Sequence, residues 1–427
     1  MELKSSISKT WKLFFLGCFF GGLLSVLFID KIDRNESLSD ANNALVQLNP
    51  LEKVLDSPSI SPMLEPNINT HLPEILPSKS IQETKKVCDM FNGRWVYKAD
   101  AKPSYNSMTC PFLEVPVSCQ KNGRSDFEYE KWSWEARECD IPLFDGRVML
   151  ERLRNKRMII VGDSINRNMW ESLACLLYSS VPSSRTQSTV KNTGHMTFKA
   201  KDYNFTFEFY MIPFLIQLDK KHKSGHRVLI LDQISHFSNQ WRGANIMVFN
   251  SAHWWTHNNF IKSWDMFEYK GKLTEDTPRE IAYKRGMRTW ASWIKKNVDP
   301  KKTTVYFRSV SPTHDSKKNK QWCHNNITQP MMKDSYVMGF PQAVIDVIEN
   351  VIKGLSKSRV KYLNITNLST YRIDAHPSIY TKKIGVNNLS GRPDCSHWCL
   401  PGLPDTWNRV LYASILFDTT LEGTPTM

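Results

Sequence analysis

With 427 residues, 41% of them hydrophobic, the chain can bury a sizeable core, shared between two or three domains or held in one large α/β domain. The 56 Lys and Arg against 42 Asp and Glu give a net charge of +14, which makes nucleic acid the first partner to weigh until the compartment is settled.

Residues 13–29, "LFFLGCFFGGLLSVLFI", carry no charge and come close to the roughly 20 apolar residues that span a bilayer. Lys4, Lys9 and Lys12 precede this run, and Asp30, Lys31, Asp33, Arg34 and Glu36 follow it. The positive-inside bias leaves residues 1–12 in the cytosol and sends the rest across the membrane. A cleaved signal peptide is the alternative, disfavoured because the apolar run is long and no small-x-small site follows it. Apart from Cys18, the eight cysteines all lie on the translocated side, an even number that suits four disulfides in an oxidising lumen. Zinc is disfavoured, since Cys395 and Cys399 have no second pair at finger-like spacing, and no metal is expected. Glycosylation triplets at Asn35, Asn204, Asn326, Asn364, Asn367 and Asn388 fit the same address. A lumenal address excludes nucleic acid and turns the basic balance toward acidic polysaccharides.

Residues 30–87 are rich in Ser, Pro and Asn without sustained periodicity and read as a flexible stem. The globular part begins at Cys88. Apolar or β-branched runs recur along it: "RMIIV" at 157–161, "FTFEFYMI" at 205–212, "RVLILD" at 227–232, "NIMVFN" at 245–250 and "TVYFRSV" at 304–310. Helical patterns between several of them predict an α/β sheet covered on both faces.

The turn after "RMIIV" is the first chemical signal. Gly162 permits a tight exit, and Met169, Leu173, Leu176 and Leu177 share one face of the helix that follows. Ser164 therefore stands at the carboxyl edge of the sheet, where α/β proteins place ligands, with helix amides behind it. Asp163 or Ser164 acting as a plain helix cap is the competing reading. A serine nucleophile needs a base and an orienting acid, and "RPDCSHWCLPGLPDTWN" at 392–408 places Asp394 three residues before His397, ahead of a helix capped by Asp405. At that spacing the carboxylate can meet the imidazole Nδ1 while Nε2 faces the serine.

Taken together, "GDSINRNMWESLACLL", "FNSAHWWTH" and "DCSHWCLPGLPDTWN" resemble the plant trichome birefringence-like family, and the likeness runs from Cys88 to Phe417. The resemblance implies a type II Golgi membrane protein whose lumenal residues 88–427 form a three-layer α/β/α, SGNH-hydrolase-like domain with insertions, preceded by the anchor and stem. It implies O-acetylation of cell-wall polysaccharides of the xylan or pectin class, with Ser164 as acetyl-accepting nucleophile, His397 as general base and Asp394 as its orienting partner. An acetyl donor is required, acetyl-CoA being one option, and no cofactor is bound. The disulfide pairing it implies is Cys88 with Cys139, Cys110 with Cys175, Cys119 with Cys399 and Cys323 with Cys395.

Oxyanion donors are sought at the Ser164 amide, at Asn250, which is equally well placed to end a strand, and at Gly243. His253, Trp254, Trp255 and His257 are read as a sugar groove, with core packing as the alternative for the aromatics. Arg167 either orients an acidic sugar or braces the active-site loop. Ala252 departs from the glycine that many relatives carry there, which leaves the acceptor open. Acetylesterase activity and non-catalytic binding of pectin remain alternatives to acetyl transfer.

Overall fold

The computed structural model describes residues 88–191, 194–257, 261–316, 321–323, 329–331, 340–382 and 393–418. The expected anchor and stem lie outside the described residues, as do Asn35, Asn326 and Asn388. Among the described residues no helix is long and apolar enough to cross a membrane.

At the amino end, β1 (Gly93–Tyr97) pairs antiparallel with β2 (Trp132–Ala136), setting Trp95 opposite Trp134. Helix α1 (Gly146–Arg152) follows, its first amides accepted by the Asp145 carboxylate. The "RMIIV" run becomes β3 (Arg157–Gly162), buried from Met158 onward, and leads directly into α2 (Ser164–Tyr178). Then come β4 (Thr186–Lys191), β5 (His195–Ala200), β6 (Phe205–Met211), β7 (Ile216–Asp219), β8 (Val228–Ile234) and β9 (Ile246–Phe249). After β10 (Met266–Tyr269) and β11 (Lys272–Thr274), helix α3 (Arg279–Asn297) precedes β12 (Thr304–Arg308). Two-residue strands β13 (Asp315–Ser316) and β14 (Gln321–Trp322) form a small hairpin. The chain then runs through α4 (Gln342–Lys353), β15 (Val360–Leu363), α5 (Thr366–Thr370) and α6 (Leu403–Leu416).

The central sheet has the order β15-β12-β9-β3-β6-β5-β4, parallel from β15 to β6 and antiparallel at β5 and β4. Its parallel part is doubly wound: β6 lies on one side of β3, and β9, β12 and β15 follow in sequence on the other. The strand order thus reverses at β3, and the crevice beyond the carboxyl ends of β3 and β9 is where such sheets bind ligands.

Near-continuous apolar strands are required because both faces are covered. Met158 and Ile160 of β3 and Val248 of β9 point into one core with Met169, Leu173, Val410 and Leu411 of α2 and α6. Ile159, Val161, Met247 and Phe249 point into the other, with Tyr283, Met287 and Trp290 of α3 and Ile345, Ile348 and Ile352 of α4. The three- and four-residue spacing in α4 lays one apolar stripe on the sheet. The result is three α/β/α layers. "RVLILD" does form a strand, but as β8 it belongs to a second sheet, β11-β10-β8-β7, outside the central one. Asp405 occupies the first turn of α6 and accepts from the Gly402 amide at 2.9 Å, so it reaches back to the helix start and is not itself the capping residue.

Four disulfides join Cys88 to Cys139, Cys110 to Cys175, Cys119 to Cys399 and Cys323 to Cys395, the pairing that the resemblance implies. The last two anchor the chain at Cys399 and Cys395, on either side of His397 and directly after Asp394.

Candidate active site

Local chemistry at the β3–α2 turn decides between cap and nucleophile. Asp163 is the cap: its Oδ1 accepts from the Ile165 amide at 3.0 Å and from Asn250 Nδ2 at 2.9 Å, while its own amide donates to Asn250 Oδ1 at 3.2 Å. Ser164 is the first helical residue, half-buried, and its hydroxyl is released for other use. Gly162 is needed for close approach, since a Cβ there would come within 1.7 Å of Asn250 Oδ1. Beneath the turn, Asn166 Nδ2 donates to the Val161 carbonyl at 3.0 Å and its Oδ1 accepts from the buried Arg308 Nε at 2.7 Å.

Opposite stands the loop that the two bridges anchor. Asp394 pairs through its backbone with Ser378 at 2.9 Å in both directions. Its Oδ1 accepts from the Ser396 and His397 amides at 2.9 and 3.0 Å, and its Oδ2 lies 2.7 Å from His397 Nδ1. His397 Nε2 lies 2.8 Å from Ser164 Oγ. The loop is aligned from α2 itself: Asn168, one turn beyond Ser164, accepts from the Trp398 amide at 2.8 Å and donates to the Trp398 carbonyl at 3.1 Å.

The electrostatics follow from this geometry. Burial alone would raise the Asp394 pKa, but attraction to His397 and three donated hydrogen bonds hold it far below the usual carboxylate range. Burial alone would depress His397; the Asp394 charge and hydrogen bond outweigh it and lift the imidazole above its ordinary 6.5. A carboxylate, an imidazole and a hydroxyl in line at 2.7 and 2.8 Å can activate the hydroxyl for attack on an acyl carbonyl.

Residues 141–414 match the GDSL/SGNH-like acyl-esterase family found in Pmr5 and Cas1p, and residues 86–140 match the PMR5 N-terminal domain. Among similar proteins of Arabidopsis thaliana, protein trichome birefringence-like 39 is 42% identical over 335 residues, 77% of this chain and 87% of that protein. Protein trichome birefringence-like 6 is 39% identical over 361 residues, 80% and 74% of the two chains, and protein trichome birefringence is 38% identical over 353 residues, 78% and 57%. The chain belongs to the trichome birefringence-like family.

In this trichome birefringence-like chain the remaining expected site residues divide. Asn250 directly follows β9 beside the nucleophile turn, with one of its two amide hydrogens committed to Asp163. Gly243 is a correction: it sits in the turn entering β9, where the next residues bond to the Arg157 end of β3, so the length of the strand separates it from Ser164. Trp255 is a second correction. It is 2% exposed, packs in the core against Phe214, Trp264 and Tyr283, and donates from Nε1 to Ser251 Oγ at 3.0 Å, so no sugar can stack on it.

Trp254 is half-buried, edge-on to Phe214, and lines a cavity of about 680 Å³ with Ile212, Lys220 and Lys262. The Ile212 amide donates to the Gly162 carbonyl at 2.8 Å, so this cavity adjoins the nucleophile turn. His253 and His257 lie beside it with ring centroids 5.5 Å apart; burial lowers both, His253 to about 4. Arg167 is engaged by Glu114 at 3.0 Å and by the buried Glu171 at 3.7 Å, which braces α2 against the 114–118 turn. Asn168, Asn166, Arg308 and Glu171 escaped the sequence reading. Their one visible signal is polarity on helix or strand positions that the apolar period assigns to the interior.

Of the expected glycosylation positions, Asn204 and Asn367 are exposed and Asn364 is half-buried. Among the described residues no cluster of three or more His, Cys, Asp or Glu is placed to hold a metal.

Proposed function

We propose that this protein is a polysaccharide O-acetyltransferase that works through an acetyl group carried on Ser164. The observation that carries the reading is the 2.7 and 2.8 Å relay from Asp394 through His397 to Ser164, set at the switch point of the sheet. His397 takes the Ser164 proton as Oγ attacks the donor's acetyl carbonyl, and passes it to the departing donor group. The Ser164 amide, the first N–H of α2, and the second amide hydrogen of Asn250 are the donors for the oxyanion, each worth about 2.7 to 4 kcal/mol in such sites. A sugar hydroxyl then gives its proton to His397, attacks the acetyl carbon, and Ser164 leaves with that proton.

The acceptor is a cell-wall polymer of the xylan or pectin class, seated along Trp254 with Lys220 and Lys262 near the rim. The natural donor is a diffusible acetyl carrier, acetyl-CoA being one, and no resident cofactor takes part. The apolar run at 13–29 with Lys4, Lys9 and Lys12 before it supports a single-pass type II protein of the Golgi membrane. Hydrolysis is the second reading, favoured by the match to an acyl-esterase family. Incubation of the full-length protein with a labelled acetyl donor and deacetylated polysaccharides separates the two. Transfer predicts label on the polymer, hydrolysis predicts free acetate without polymer label, and neither product overturns both.

A further inference from the structure

Behind the triad lies a second pair of imidazoles to which the acyl-transfer chemistry assigns no role. His314 Nδ1 is 2.7 Å from His376 Nε2, and both residues are 1% exposed. Each outer nitrogen meets a main-chain carbonyl: His314 Nε2 lies 2.9 Å from Thr370 O, and His376 Nδ1 lies 2.6 Å from the carbonyl of His397 itself. A carbonyl oxygen only accepts, so both outer nitrogens must carry hydrogen, and the central contact needs a hydrogen of its own. Three N–H groups are required, whereas two neutral imidazoles supply two.

We propose that His314 and His376 form a buried imidazole pair holding one extra shared proton, and that the pair positions His397 by donating a hydrogen bond to its carbonyl. The second half rests on the reading of His397 as the general base; the proton count does not.

The surroundings are disposed to hold a charge. The Trp398 indole stacks on His376 at 3.9 Å and 22° and meets His314 edge-on at 6.1 Å, presenting a π face to the cation. Asp394 acts on His376 and Asp315 on His314, each favouring the protonated form, while the His397 charge opposes it. Arg124 donates to the His376 carbonyl at 3.1 Å, but its charge is met by Asp126 at 2.7 Å, and the nearby Arg372 is met by Asp374 at 2.9 Å. Burial is the largest influence on each imidazole and works against the extra proton. Burial also penalises the neutral pair, because one carbonyl would then face a lone pair at hydrogen-bond distance with no water to turn to. His314 is further tied to the catalytic segment through its amide, which donates to the Cys395 carbonyl at 3.0 Å.

The proton count is read directly from the full-length protein labelled with ¹⁵N-histidine. The expected result at neutral pH is three protected N–H signals from the pair, with the His314 and shared signals lost in His314→Gln and the His376 and shared signals lost in His376→Asn, so that either variant that folds assigns two of the three. Two N–H signals throughout the pH range in which the protein stays folded would overturn the shared proton, whatever reaction the triad performs. The positioning role is read in acetyl transfer or hydrolysis. His376→Phe keeps a ring against Trp398 but loses the donor, and is expected to lower kcat about tenfold with KM unchanged, as loss of one buried hydrogen bond allows. His376→Asn, whose amide can stand in for Nδ1, should recover most of that loss. Wild-type kcat in His376→Phe would overturn the positioning role.

Discussion

Asp394→Asn separates the electrostatic role of the loop from its shape. In the wild type one carboxylate oxygen holds the Ser396 and His397 amides at 2.9 and 3.0 Å and the other faces His397 Nδ1 at 2.7 Å. The asparagine oxygen can keep both amides, so the loop that the two disulfides anchor stays in place. Its NH₂ now meets Nδ1, which forces the imidazole hydrogen onto Nε2, and Nε2 then donates to Ser164 where it should accept. Serine proteases with the equivalent change lose about 10⁴ in turnover, or about 5.5 kcal/mol of transition-state stabilisation. A second effect has a definite sign. Burial is the largest influence on His397 and lowers its pKa; the Asp394 charge is what lifts it above 6.5. The stabilisation from this pair is therefore fully present below about pH 6.5 and lost as pH rises through the raised native value, and the variant loses that pH dependence. Any residual rate should have its acid limb at lower pH than the wild type. Initial rates of acetyl transfer or release across pH, with thermal unfolding of both proteins, measure all of this. A variant that keeps wild-type turnover would rule out Asp394 as the group that sets the His397 tautomer.

Four further outcomes are expected. Replacing Cys323 and Cys395 together by Ser should destabilise the protein by about 4 kcal/mol for a 72-residue separation in the chain-entropy view, and lower activity more steeply than global unfolding, because the bridge seats Asp394; unfolding curves and rates on the same samples check it. Glu171 is buried, and its pKa is raised to about 8 by burial and by Glu114, so the folded protein binds a proton that the unfolded chain releases above about pH 4.3. Stability should fall with rising pH between those values, and Glu171→Gln should flatten the fall and raise the melting temperature at neutral pH. Trp254→Ala should raise KM for the acceptor with little change in melting temperature, whereas Trp255→Ala should cost about 3 to 5 kcal/mol of stability, as expected for a buried tryptophan. Added salt should weaken wild-type binding if the acceptor is acidic, because exposed charges are screened over about 8 Å at physiological ionic strength.

Parts of this site were legible because they obey local rules. "RMIIV" followed by Gly162 reads as a buried strand with a tight exit, and Asp394 and His397 share a short loop, so neither needs tertiary information. The central strands announced themselves because parallel strands covered on both faces are apolar throughout. β8 misled for a related reason. An apolar run identifies a strand but not its sheet, and β8 pairs with β7 and β10, away from the central strands. β15, "VKYL", is half-buried and too mixed to stand out. Trp254 and Trp255 show the limit of composition: adjacent indoles on a short helical turn point to opposite environments, one to a cavity and one to the core. Gly243 came only from the likeness to the family's glycine block, and the direction of β9 removes it. The His314–His376 pair was invisible, since 62 residues separate its members and only the fold brings them together behind His397.

The acetyl-enzyme itself is the most direct test of Ser164 as the acyl carrier. The full-length protein is exposed to a labelled acetyl donor without acceptor, quenched in acid, digested and mapped by mass spectrometry, with Ser164→Ala alongside. One labelled acetyl group is expected on the peptide containing Ser164, discharged on adding the polysaccharide acceptor and absent from Ser164→Ala. Undiminished turnover by Ser164→Ala, or label carried on a different residue, would contradict that role.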